Sequence, residues 1–166
     1  MKVLLPIVLL LTLGGGYIFY ASQTTYPDVH AVRFNLIDGR RIEMPQLAGK
    51  AVLVSFWATT CASCIKEIPD LIRLYTDYAA KGLEIIAVAM PYDRPDHVLD
   101  FVTAHKLPYP VSLDVDGSIS RAFGNVRVTP NNFLLAKDGI IIRQQLGILD
   151  VPETEHLLQK ILVLKD

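Results

Sequence analysis

Apolar residues fall into three kinds of pattern along the chain. From Val3 to Ala21 polar side chains are almost absent, the run being broken only by Thr12 and softened by Pro6 and Gly14-Gly15-Gly16. Ala51 to Phe56 and Leu83 to Met90 are near-continuous apolar runs, the pattern of strands covered on both faces of a sheet. Between them Ile65, Ile68, Leu71, Ile72 and Tyr75 recur at helical spacing, and Lys81-Gly82 ends the stretch. A right-handed βαβ unit is therefore expected from Ala51 to Met90. Its helix runs from Cys61 to about Ala80 and is kinked, not ended, by Pro69.

The flanking patterns are shorter. Val32 to Ile37 alternates, and Asp38-Gly39 is a hairpin turn signal leading into Arg40-Arg41-Ile42. Pro45 to Lys50 reads as one helical turn closed by glycine. Past Pro91, Asp96 to His105 reads as a helix begun near Pro95, with His97 and His105 as exposed helix residues. Tyr109 to Leu113 is a short strand, and Ser118 to Phe123 a brief helix. Asp114 and Asp116, between them, lack the terminal glutamate of a calcium loop and read as a plain turn. Val128 to Leu135 and Ile140 to Gln144 flank a second hairpin signal, Lys137-Asp138-Gly139. Asp150 to Val163 closes the chain as a helix, with Pro152 in its first turn and Leu157, Leu158, Ile161 and Leu162 toward the sheet.

The N-terminal run sets the domain plan. As a helix, residues 3–21 would reach about 28 Å, close to a bilayer core. Lys2 precedes it and no Lys or Arg follows until Arg33, which puts the N-terminus inside and the remainder outside. A cleaved signal peptide is the rival reading, but the site after Ala21 has Phe19 where a small residue is wanted. The expectation is residues 1–21 as a signal anchor or transmembrane helix, 22–30 as a linker, and 31–166 as one exported domain. In 166 residues, 51% of them apolar, there is room for a proper core, and a net charge of −1 points to neither nucleic acid nor an anionic surface as partner.

The candidate chemistry is Cys61 and Cys64, the only cysteines, placed where the first apolar strand hands over to the helix. Cysteines at i and i+3 in a first helical turn face one side, close enough to bridge. Unpaired N–H groups and the positive end of the helix dipole favour a thiolate there. Cys61 is expected to be the exposed, reactive member and Cys64 the shielded one, with Thr60 as N-cap. A zinc site would need a second pair of ligands, and His30, His97, His105 and His156 are scattered without ligand spacing. A structural disulfide closing so short a loop would stabilise little. A redox-active pair is the favoured reading.

The stretch Leu53 to Pro69, with Phe56-Trp57-Ala58, the cysteine pair, Glu67 and Pro69, together with Thr129-Pro130 far downstream, resembles thioredoxin-fold proteins. More narrowly, the chain from about Ala31 onward resembles the membrane-anchored TlpA-like bacterial thiol–disulfide oxidoreductases, which include ResA-type proteins. The resemblance implies a thioredoxin-like α/β fold: a central mixed sheet flanked by helices, carrying an N-terminal β-hairpin extension and preceded by one transmembrane helix. It implies Cys61 and Cys64 as catalytic residues. It implies a cis Pro130 beside the pair, and Thr129, Pro130 and Trp57 as substrate-binding residues, the Thr129 backbone pairing with a substrate peptide as an added strand.

The function implied is reduction of disulfides in exported proteins, apocytochrome c or copper-centre assembly proteins among them, at the outer side of a bacterial inner membrane. A membrane-borne thiol donor would re-reduce the pair, and no organic cofactor or metal is needed. Several positions depart from the relatives. Ser55 stands where thioredoxin has an acidic residue, and Thr60 where many relatives have tryptophan. The glutamate that ResA-like proteins place near the pair is sought after the next strand, where Asp93 is the nearest candidate; Glu67 reads as well as an exposed helix residue. Ala62 and Ser63 match neither the Gly-Pro of thioredoxin nor the Pro-His of strong oxidants. A disulfide oxidant, or a copper chaperone using both cysteines as soft ligands, is the alternative. A peroxiredoxin-type peroxidase would need threonine at Ala58.

Overall fold

The computed structural model describes residues 26–163. The expected anchor and the first four residues of the expected linker, 22–25, lie outside the described residues, and among those described no helix is long and apolar enough to cross a membrane. Strands β1 (Arg33–Asn35) and β2 (Arg41–Glu43) form the N-terminal hairpin. A 3-10 turn (Met44–Leu47) leads to β3 (Ala51–Trp57), α1 (Ala62–Tyr78) and β4 (Leu83–Ala89). Then come α2 (Pro95–His105), β5 (Val111–Leu113), α3 (Ser118–Ala122), β6 (Asn131–Leu135), β7 (Ile141–Leu146) and α4 (Val151–Val163).

The main sheet has the order β5-β4-β3-β6-β7. β3 runs parallel to β4, and β4 to β5, while β6 and β7 are antiparallel additions, so the sheet is mixed as expected. The hairpin docks on the β5 edge through the Leu36–Ser112 bridge and the Ile37 N–H to Val111 carbonyl bond, covering backbone groups an edge strand would leave open.

The near-continuous apolar runs follow from burial on both sheet faces. Along β3, Val52, Val54 and Phe56 enter one core with the hairpin, α3 and β6, where Phe56, Phe123 and Phe133 meet edge-on with centroids 5.0–5.8 Å apart. Ala51, Leu53 and Trp57 enter the other, beneath Leu71 and Leu74 of α1, Val98 of α2 and Leu158 of α4. Packing begins before the expected boundary at Ala31: Val29 is 1% exposed in the first core.

Other boundaries move for local reasons. β5 starts at Val111 and not Tyr109, because Pro110 has no N–H for the ladder and contributes only its carbonyl, to Ala87 N–H. β3 gains Trp57, which pairs with Ala89. α1 runs through Pro69 unbroken. Asp114 is no plain turn residue: it is 1% exposed, and its carboxylate accepts the Ile119 and Ser120 N–H groups at 2.8 Å each, capping α3.

Candidate active site at the Cys61–Cys64 turn

The β3–α1 connection is held from both sides. Asp93, in the segment after β4, accepts the Thr59 N–H at 2.6 Å and the Thr59 hydroxyl at 2.7 Å, and the Cys61 N–H bonds the Ala58 carbonyl at 3.0 Å. Asp93 therefore fixes the approach to the cysteines. Cys61, not Thr60, is the N-cap: its Sγ accepts the Cys64 N–H at 3.2 Å, while Thr60 is exposed. A sulfur in that position takes an orphan N–H that a hydroxyl would otherwise take, and the same N–H and helix dipole stabilise it as a thiolate when reduced.

Cys61 and Cys64 are joined, S–S 2.09 Å and Cα–Cα 5.3 Å, so the chain is described in its oxidised form. Cys61 is half-buried, with Ser63 Oγ 3.4 Å from its sulfur, and Cys64 is 3% exposed. The shielding expected from the sequence is what the helix start produces: Cys61 sits at the surface and Cys64 turns one helical step inward.

Cys64 shares a small enclosed cavity with Ser55, Trp57, Glu67, Ile68, Leu71, Ala87, Leu107 and Tyr109. Glu67, the residue the sequence left as readily exposed as not, is 1% exposed there. Burial pushes its carboxyl up to about 7, with the Asp70 charge acting the same way; the Asn132 amide and the Leu149 N–H pull in the other direction. Asn132 Nδ2 donates to Glu67 Oε1 at 2.7 Å. Burial likewise pushes the Tyr109 phenol well above its usual range, and the Glu67 charge adds to this.

A signal for Glu67 was present. The buried face of α1 is Cys64, Glu67, Ile68, Leu71 and Leu74, whereas Ile65 is 37% exposed. Counting Cys64 as apolar and discarding Ile65 turns the helix face by about one residue, or 100°, and brings position 67 inside.

The remaining predicted residues lie at the same sheet end. Thr129–Pro130 is a cis peptide bond, as the resemblance implied. Asn131 pairs with Phe56, so Pro130 continues β6 level with Trp57, and its carbonyl accepts the Gly147 N–H at 2.8 Å. Pro130 is buried and Thr129 half-buried. Trp57, expected to contact substrate, is 4% exposed, packs against Phe101 with the rings tilted and their centroids 5.2 Å apart, and lines the cavity under Cys64. It is a wall beneath the pair, not part of its surface.

Comparison with known proteins agrees with this geometry. The sequence pattern of the AhpC/TSA family matches residues 24–144. The thiol–disulfide oxidoreductase ResA of Bacillus anthracis is 33% identical over 96% of each chain, and that of Bacillus subtilis 31% identical over 86% of this chain and 83% of its own. Among solved structures, a thioredoxin-family thiol:disulfide interchange protein of Chlorobium tepidum superposes with a TM-score of 0.74 at 22% identity, covering 85% of this chain and 99% of that one. StoA of Bacillus subtilis superposes at 0.66 with 24% identity, over 75% and 93%. At those identities the two structures speak for the fold alone.

Proposed function

The chain belongs to the ResA-like thiol–disulfide oxidoreductases within the AhpC/TSA family, and we propose that it works as a reductase of disulfides in exported proteins such as apocytochrome c or copper-centre assembly proteins. The observation that carries the direction is the acid beneath the pair. A disulfide protein is a strong oxidant when its reduced form is stabilised. Here the group sharing a buried cavity with Cys64 is a carboxyl, which gives a Cys64 thiolate no opposite charge to pair with.

In the proposed reaction the Cys61 thiolate attacks a partner disulfide. The partner S–S bond breaks, a mixed disulfide forms at Cys61, and one partner sulfur leaves as a thiolate. Cys64 then passes its proton to Glu67 and attacks Cys61 Sγ. The mixed disulfide breaks, the second partner sulfur leaves as a thiolate, and the partner has gained two electrons while the protein holds the Cys61–Cys64 bond. A dithiol donor reverses the last steps, Glu67 returning the proton to Cys64 as the disulfide opens. Thr129 and Pro130, at the same sheet end, are the proposed backbone contact for the partner peptide.

The proposed place of action is the outer side of a bacterial inner membrane, with a single-pass anchor at residues 1–21 and a membrane-borne thiol donor. Support comes from the apolar run from Val3 to Ala21 and from the absence of Lys and Arg between Lys2 and Arg33.

The deciding measurement is the reduction potential of the pair against glutathione or dithiothreitol. A value near or below about −270 mV supports the reductase; one near about −120 mV overturns it in favour of an oxidant.

A further inference from the structure

Glu67 and Asn132 meet where α1 packs on β6, and both are buried, 1% and 2% exposed. Asn132 Nδ2 donates to Glu67 Oε1 at 2.7 Å, while Glu67 Oε2 and Asn132 Oδ1 have no hydrogen-bond partner. An amide and a carboxyl joined by one N–H···O bond leave those two acceptors as the complementary atoms of a cyclic acid–amide pair. A proton on Oε2, donated to Oδ1, closes the ring and relieves both orphaned atoms.

We infer that Asn132 is a positioning residue for the exchange reaction: Nδ2 donates to the Glu67 carboxylate and Oδ1 accepts from the Glu67 acid, so that the carboxyl keeps one place in both protonation states. The inference rests on Glu67 carrying the Cys64 proton as proposed above. A carboxyl that takes a proton when Cys64 attacks, and returns it when the disulfide opens, needs a partner for each state. The asparagine head group offers a donor and an acceptor in one plane.

The other groups around Glu67 are of different kinds. Asp70 on the same helix opposes ionisation, and the Tyr109 phenol, from the segment before β5, stays neutral. Cys64 lies one helical turn earlier on α1, and Ser55 and Trp57 of β3 complete the wall. The Leu149 N–H, ahead of α4, favours the carboxylate.

The test uses the reduced full chain and 5,5′-dithiobis(2-nitrobenzoate). Cys61 displaces one thionitrobenzoate and forms a mixed disulfide; attack by Cys64 releases the second, and the rate of that second release is followed against pH. An inflection near pH 7 that Glu67→Gln abolishes is expected for the wild-type chain. Asn132→Leu removes both bonds, and because the bond to the charged carboxylate is the stronger of the two it should move the inflection up by about one pH unit and slow release at neutral pH about fivefold. Asn132→Thr, whose hydroxyl both donates and accepts, should recover most of that loss.

An inflection that stays in place in Asn132→Leu overturns the inference while leaving the exchange reaction standing. No second release from the wild-type chain at any pH removes the exchange reading and this inference together. Should Asn132→Leu fail to fold, the infrared carbonyl band of protonated Glu67 in the oxidised wild-type chain, assigned by its loss in Glu67→Gln, decides. The frequency of a hydrogen-bonded acid supports the pair, and that of a free acid overturns it.

Discussion

Replacing Glu67 with Gln should abolish most of the pH dependence of this protein's stability between about pH 4.5 and 7. In the folded chain the carboxyl holds its proton up to about pH 7, against an ordinary value of 4.5. Between those two values the folded state binds more protons than the unfolded one, so stability falls as pH rises through the window. It is fully present below the lower value and lost above the upper. A gap of about 2.5 pH units at about 1.36 kcal/mol per unit is worth about 3 kcal/mol. For a domain of this size that corresponds to a fall in Tm of roughly 10 °C.

The near-isosteric amide keeps an oxygen for Asn132 Nδ2 and has nothing to ionise. Oxidised wild-type and E67Q chains, melted in parallel from pH 4.5 to 8, should therefore converge at the acid end and separate by about 3 kcal/mol at the alkaline end, with E67Q the more stable. His30 also has a raised pKa, through its bonds to Asp28 and Asp138, and it pulls in the same direction, but both chains carry it and the comparison cancels it. The carboxylates with lowered pKa, Asp28, Asp38, Asp96 and Asp116, titrate below the window. Parallel pH profiles for the two chains would refute the reasoning, because the buried carboxyl would then be ionised at no cost.

Cys64→Ser should accumulate a mixed disulfide between Cys61 and its partner, visible on a non-reducing gel, whereas Cys61→Ser should trap nothing; trapping by Cys61→Ser alone would reverse the assignment of attacking and resolving cysteines, and equal trapping by both would refute it. Asp114→Ala leaves two N–H groups at the start of α3 without their carboxylate and should cost about 3 kcal/mol in urea unfolding, with Asp114→Asn nearer half of that. A loss under about 0.5 kcal/mol, the size of an ordinary surface change, would mean the cap is not needed. Phe133→Ala removes a fully buried ring from the Phe56–Phe123–Phe133 cluster and should cost about 3–5 kcal/mol without moving the reduction potential, since that core lies across the sheet from Cys64.

What the sequence carried plainly was whatever depends on neighbours along the chain. β3 and β4 show as apolar runs because both sheet faces are covered, and Pro95 marks the start of α2. The Asp38-Gly39 and Asp138-Gly139 turns show because each glycine supplies a positive φ, 85° and 82°. The cysteine pair is legible for the same reason: its spacing and its place after a strand are local facts. Glu67 was left undecided, and Asp114 and Trp57 were misplaced, because their surroundings are not local. Asn132, which meets Glu67, is 65 residues further on, and Trp57 is covered by Phe101 from a different helix. Asp114 looks like a turn aspartate until α3 folds back over it. Cys61 as N-cap was missed because the residue beside it, Thr60, is a better capping type on general preference, whereas the bond of Cys61 N–H to Ala58 sets the helix start one residue later.

These placements bear on how the acid reaches the cysteines. Thioredoxin has an acidic residue on the strand before the active site, where this chain has Ser55. Ser55 pairs with Asn132 across β3 and β6, so the two side chains stand together on the sheet face beneath α1. Glu67 descends from the helix to the same spot. A strand-borne acid would hold its distance from Cys64 only as well as the helix holds its seat on the sheet. Glu67 and Cys64 are instead three residues apart on one helix, so their separation is fixed by helix geometry. What can vary is the distance from Glu67 to the sheet, and that distance is bridged by Asn132. In the proposed reaction the helix would set how far the proton travels to or from Cys64, and the sheet would set how readily Glu67 releases it.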